Sequence, residues 1–128
     1  MQIRVYYEDT DMGGIVYHAN YLKFCERARS EIFFQEGLTP HIEGGEFVAA
    51  SVEAKFVASA RLGDILDVTT QIVSLKGSSL LLRQRVFKDD MILFDMNIKL
   101  GFLKSGKIGR MSKDTQVYLL KLFAGSDA

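Results

Sequence analysis

The chain has 128 residues, 48% of them hydrophobic and 25% charged, which is an ordinary globular balance for one domain spanning 1–128 and excludes a disordered or collagen-like chain. Sixteen basic residues balance sixteen acidic ones, so the basic excess of a nucleic-acid binder is missing and self-association is not opposed by net charge. The single cysteine, Cys25, cannot close an internal disulfide and suits a reducing compartment.

Ile3–Tyr7 is a short β-prone run. It ends in Glu8-Asp9-Thr10-Asp11 and Gly13-Gly14, which is loop chemistry. A helix is predicted from about Tyr17 to Glu36, because Tyr21, Cys25, Ala28 and Ile32 recur on one face. Leu22, Phe24 and Phe33 widen that apolar stripe, so the helix is expected to be covered on more than one side. Glu26, Arg27, Arg29 and Glu31 read as a salt-bridged helix surface. Gly37 is placed to cap the helix, with Pro40 beyond it.

From about Glu46 the period becomes two. Val48, Ala50, Val52, Ala54 and Phe56 alternate with polar or small residues, and so do Leu66, Val68, Thr70 and Ile72. Lys76-Gly77-Ser78 is a turn, Ser79–Phe87 a strand, Lys88-Asp89-Asp90 a turn, and Phe94 to Phe102 a further alternating strand. Ser112 can cap a last helix, about Lys113–Phe123, with Gly125 after it. The order predicts an α+β fold: an antiparallel sheet with one apolar face, curled around the single long helix. The N-terminus carries no signal-peptide pattern, and no apolar run approaches the ~20 residues of a membrane helix. A cytoplasmic chain is expected.

Tyr7, Asp11 and His18 surround the Gly-Gly pair that leads into the helix. A helix start offers free N–H groups and partial positive charge, suited to an oxyanion, and a nearby carboxylate can attack or activate water. A structural alternative stays open, in which Asp11 caps the helix and His18 fills a polar niche. A zinc site from His18, His41 and Cys25 has poor spacing. Gly13-Gly14 lacks the ending of a phosphate loop, and Cys25 reads as a small packed hydrophobe.

The run from Arg4 to Tyr21, RVYYEDTDMGGIVYHANY, continued by Phe24 and Glu26-Arg27-Ala28-Arg29, resembles the YbgC-type acyl-CoA thioesterases of the hydroxybenzoyl-CoA thioesterase branch of the hot-dog superfamily. Met12 stands where Ala is usual. Phe56–Asp64 and Lys76–Leu80 resemble two further blocks of that family, with Ser59 for a common Pro and Gly63 for a common Asp. The resemblance implies a hot-dog fold, a five-stranded antiparallel sheet wrapped around a long central helix. It also implies a homodimer whose sheets join, active sites at the subunit interface, and often a homotetramer built as a dimer of dimers.

The substrate implied is a short to medium acyl-CoA, with no metal or cofactor, since a thioester is already activated. The family's catalytic carboxylate falls on Asp11. The amide that polarises the thioester carbonyl falls at His18, and Tyr7 and His18 match supporting side chains. Val16 and Tyr17 lie against the substrate, and Arg61 or the Lys76-Gly77-Ser78 turn meets the coenzyme A phosphates. The alternatives are a non-catalytic acyl-binding or scaffold protein linked to phospholipid-synthesis enzymes or the Tol-Pal envelope system, peripheral at the inner membrane, and a dehydratase acting on acyl carrier protein.

Overall fold

The structure is a computed structural model that describes residues 1–126; the last two residues of the expected domain lie outside the described residues. Seven strands and two helices follow in order: β1 (Gln2–Arg4), α1 (Asn20–Phe34), β2 (His41–Ile42), β3 (Gly45–Phe56), β4 (Ile65–Leu75), β5 (Ser79–Lys88), β6 (Met91–Lys104), β7 (Lys107–Ile108) and α2 (Lys113–Ser126). The sheet runs β1-β4-β5-β6-β3-β2, with β7 added to β6, and every pairing is antiparallel. β1, β3, β4, β5 and β6 are the five expected strands, although β1 ends at Arg4, short of the expected Tyr7, which enters a 3-10 turn. β2 and β7 are two-residue additions at turns.

The long strands alternate as period two requires. Leu80, Leu82, Gln84 and Val86 on β5 and Phe94, Met96, Ile98, Leu100 and Phe102 on β6 are buried. α1 lies on the inner face of β4 and β5 and contributes Tyr21, Phe24, Cys25, Ala28, Ile32 and Phe33 to the core. Each fully buried large side chain of this kind contributes roughly 1.5–3 kcal/mol.

β3 departs from the simple alternation. A bulge between Ala49 and Ser51 reverses the side-chain parity. Val52, Ala54 and Phe56 lie opposite the buried Ile98, Met96 and Phe94, but before the bulge it is Phe47 and Ala49 that face inward, opposite Phe102 and Leu100. Val48 therefore turns to the opposite face, opposite Gly101, and does not share a face with Val52. From Phe47 to Phe56 the outer edge of β3 pairs with no strand among the described residues.

The helix boundaries also shift. α1 begins at Asn20 rather than Tyr17, because Tyr17 and His18 are used as a turn that joins the preceding loop. It ends at Phe34 rather than Glu36, but its cap is as expected: Gly37 adopts φ 72°, and the Gly37 and Leu38 amides donate to the Phe34 and Phe33 carbonyls, a Schellman closure. Ser112 caps α2 through a bond from the Thr115 amide to its hydroxyl, but Gly125 lies inside α2. The salt-bridged surface expected on α1 does not form among the described residues. Arg29 instead turns inward and donates to Gln84 Oε1 at 3.3 Å, while Ser30 donates to Glu26. Gln84 is fully buried, and its amide donates to the Cys25 carbonyl and the Thr70 hydroxyl, so it fastens α1 to the sheet.

Candidate active site

The segment between β1 and α1 is built around two aspartates with different duties. Val5 is pinned to the β3–β4 connection: its amide donates to the Asp64 carbonyl, and its carbonyl accepts from Gly63. Gly63 sits at φ 87°, a left-handed conformation that favours glycine. Tyr7–Asp9 then forms one 3-10 turn. Asp9 is buried; its carboxylate accepts from the Tyr6 amide, and its carbonyl accepts from the Tyr17 amide and the Asn20 side chain, all at 2.9 Å. Asp9 therefore ties the loop to the start of α1.

That leaves Asp11 free of structural work at the helix. It does not cap α1. One oxygen accepts from the Gly13 amide at 2.8 Å, and the other accepts no hydrogen bond among the described residues. The Asp11 amide donates to the Ile15 carbonyl and the Asp11 carbonyl accepts from Gly14, at φ 77°, so Asp11 closes a tight hairpin with its carboxylate exposed. The hairpin docks on the next segment through the bond from the Val16 amide to the Ala60 carbonyl and a bridge between Ile15 and Arg61.

The helix start faces the same unit. The Asn20, Tyr21 and Leu22 amides donate to the carbonyls of Tyr17, His18 and Ala19. The His18 and Ala19 amides donate to no acceptor among the described residues, and no side chain caps the helix. The His18 ring lies 4.4 Å from the Tyr17 ring and 6.1 Å, edge-on, from Phe56 at the end of β3. Tyr7 is exposed beside the hairpin. Val16, by contrast, is a core residue at 3% exposure, so its side chain is not offered to a ligand. Cys25 is buried, and burial pushes its thiol up to about 12, which removes it as a nucleophile.

Asp11, Tyr7, Tyr17, His18 and Arg61 thus gather at the Ile65 end of β4. The Lys76-Gly77-Ser78 turn lies at the other end. β4 has 11 residues, so at ~3.3 Å per residue the two ends are roughly 33 Å apart. At the turn, the Lys76 amide donates to the Ser79 carbonyl and the Ser78 carbonyl accepts from Phe102. Folding adds a cation there that the sequence reading missed. The guanidinium of Arg110 covers Gly77, where a Cβ would fall 2.6 Å from Arg110 Cζ, and the Met111 amide locks the segment by donating to the Gly77 carbonyl at 2.7 Å. No carboxylate pairs with Arg110 or Lys76 among the described residues. Arg110 lies 33 positions after Gly77, and only the missing side chain of Gly77 hints at the contact. A groove of about 1010 Å³ lies between β4 and α2 near this turn, lined by Ile72, Leu75, Val117 and Leu120, and does not reach Asp11.

Residues 13–94 match the family model described as Thioesterase superfamily. The chain belongs to the thioesterase superfamily. It is 52% identical over 87 residues to the acyl-CoA thioesterase YbgC of Helicobacter pylori, a match covering 68% of this chain and 65% of that protein. It is 43% identical over 98 residues to the acyl-CoA thioester hydrolase YbgC of Escherichia coli O6:H1, covering 73% and 72%. Among solved structures, a probable thioesterase from Bartonella henselae superposes with a TM-score of 0.81 at 31% identity, covering 88% of this chain and 97% of that one. The superfamily's hot-dog architecture is the curled sheet and long helix described above.

Proposed function

We propose that this chain hydrolyses the thioester of short to medium acyl-CoAs, yielding the free acid and coenzyme A. The observation that carries this reading is the exposed Asp11 carboxylate, held in one hydrogen-bonded unit with the unbonded His18 and Ala19 amides at the start of α1. The thioester carbonyl oxygen accepts from the His18 amide, and negative charge developing there is stabilised by the helix N-terminus. Asp11 either attacks the carbonyl carbon, giving a mixed anhydride that water opens, or takes a proton from the attacking water. In both routes the C–S bond breaks, the sulfur leaves as the coenzyme A thiolate, and water supplies the oxygen of the acid. Tyr7 orients the carboxylate or the water. The His18 imidazole moves the proton.

The nucleotide phosphates would meet Lys76 and Arg110, with Arg61 too close to Asp11 for that role. One chain holds these two ends far apart, so the active form is a homodimer. Antiparallel pairing of the free β3 edges about a two-fold sets the Gly45 end of one β3 beside the Phe56 end of the other. The Ser78–Phe102 bond ties the Lys76 turn to the Gly45 end, through the pairing of Phe102 with Phe47. Each Asp11 is then served by the partner's turn. Steady-state release of thiol from a panel of acyl-CoAs tests the activity. Binding without turnover would favour the acyl-binding alternative and refute hydrolysis.

A further inference from the structure

We propose that Phe56 limits the length of acyl chain that the Asp11 site accepts; the inference rests on the thioesterase reading. Phe56 ends β3, on the inner face of the sheet, and is 55% exposed in the single chain. It stands edge-on to His18 at 6.1 Å, on the flank of the helix start whose amides receive the carbonyl. Behind it there is no slack. The Phe94 ring lies at 5.1 Å and the Tyr21 ring at 6.1 Å, and these two stack on each other at 5.1 Å. Tyr21, Phe24 and Phe94 are all buried, and the Tyr21 hydroxyl is held by the Ala60 amide at 3.0 Å. The backbone after Phe56 cannot swing either, because the Val57 and Ala58 amides both donate to the Leu93 carbonyl.

An acyl chain extending from a carbonyl at the His18 amide therefore meets a ring with a closed aromatic wall behind it. Native interiors are packed too densely for such a wall to recede. Each methylene accommodated or refused in an apolar pocket changes kcat/KM by about 10–200-fold. Replacing the ring with a methyl group opens room for several methylenes without touching Asp11 or the helix amides.

The test is the kcat/KM profile of wild type, Phe56→Leu and Phe56→Ala over an acyl-CoA series from acetyl to dodecanoyl. The wild type is expected to peak at short chains. Phe56→Ala should raise the octanoyl-to-butanoyl ratio at least tenfold, with Phe56→Leu in between. If Phe56→Ala does not fold, Phe56→Leu alone decides, by the direction of its ratio. An unchanged ratio, or an equal fall for every chain length, overturns the role of Phe56 while leaving hydrolysis intact. A wild type that hydrolyses none of the series refutes the thioesterase reading itself, and the chain-length role with it.

Discussion

Asp11→Asn isolates charge from geometry at the site. Among the described residues the Asp11 carboxylate accepts one hydrogen bond, from the Gly13 amide at 2.8 Å, and an Asn side-chain oxygen accepts it equally well. The hairpin's backbone bonds, from Asp11 to Ile15 and from Gly14 to Asp11, do not involve the side chain. Asp9, not Asp11, fastens the loop to α1. The substitution is therefore expected to leave the melting temperature and the oligomeric mass unchanged. What disappears is the negative charge that attacks or deprotonates. Loss of a positioned catalytic base lowers kcat by about a hundredfold or more, roughly 2.7 kcal/mol or more of transition-state stabilisation. KM should move little, because the ground-state thioester is uncharged and gains nothing from the carboxylate. The assay is coenzyme A thiol release under saturating acyl-CoA, on protein free of wild-type contamination. Turnover within a few-fold of wild type would show that Asp11 is not the reacting group. Glu26 and Glu31 on α1 would be the carboxylates to test next, although Glu26 already accepts a bond from Ser30.

Glu43 offers a pH test of α2 docking. Hydrogen bonds from Ser112 and from the Lys104 ammonium hold its carboxyl at about 2, below the ordinary 4.5. A depressed folded value means the stabilisation is complete above about pH 4.5 and is lost as pH falls through about 2. Wild type should lose more melting temperature than Glu43→Gln over that window; parallel curves would refute the linkage. Two glycines should respond oppositely to alanine. At Gly45 a Cβ would stand 2.6 Å from the Leu103 carbonyl oxygen, which is backbone, so urea denaturation should show a loss of about 1–3 kcal/mol. At Gly77 the obstacle is the movable end of Arg110, so stability should hold while KM for acyl-CoA rises a few-fold.

The fold was legible because its signals are local. The Tyr21-Cys25-Ala28-Ile32 spacing, the Gly37 cap and the alternation on β5 and β6 each follow from one stretch of chain. Misreadings arose where tertiary contacts override a local pattern. The Ala50 bulge reverses the face of Val48 without altering the apparent alternation. Arg29 sits in a charged run, yet the buried Gln84 draws it inward across 55 positions. The site divides in the same way. Asp11, Tyr7 and His18 lie within twelve residues and stand out together. Asp9 was indistinguishable from Asp11 by type or spacing, and only burial and hydrogen bonding separate the structural acid from the free one. Arg110 could not be read because its partner is a glycine, which leaves no complementary side chain in the sequence.

The separation of Asp11 from the Lys76–Arg110 end makes the interface site testable without any further structure. Consider a tagged heterodimer in which one chain carries Asp11→Asn and the other carries both Lys76→Ala and Arg110→Ala. If each site takes Asp11 from one chain and the cations from the other, both defects fall on one site, and the second site is intact. The heterodimer should then show about half the wild-type kcat with a wild-type KM. If both groups serve the site within one chain, no intact site exists. One site lacks the carboxylate and the other lacks the cations, so KM stays raised. Loss of two exposed charge contacts, each about 0.2–1 kcal/mol, raises KM roughly two- to thirty-fold, and the two outcomes are well separated. Added salt supplies a control: screening should raise KM for an intact site toward the value of the doubly substituted homodimer, and should change KM little for a site already lacking the cations. A light-scattering mass of one chain at micromolar concentration would remove the premise, because the β3 edge would then be unpaired in solution. A heterodimer with half the turnover but the raised KM would place Asp11 and the cations in the same chain, and would overturn the pairing of β3 edges as the way the site is completed.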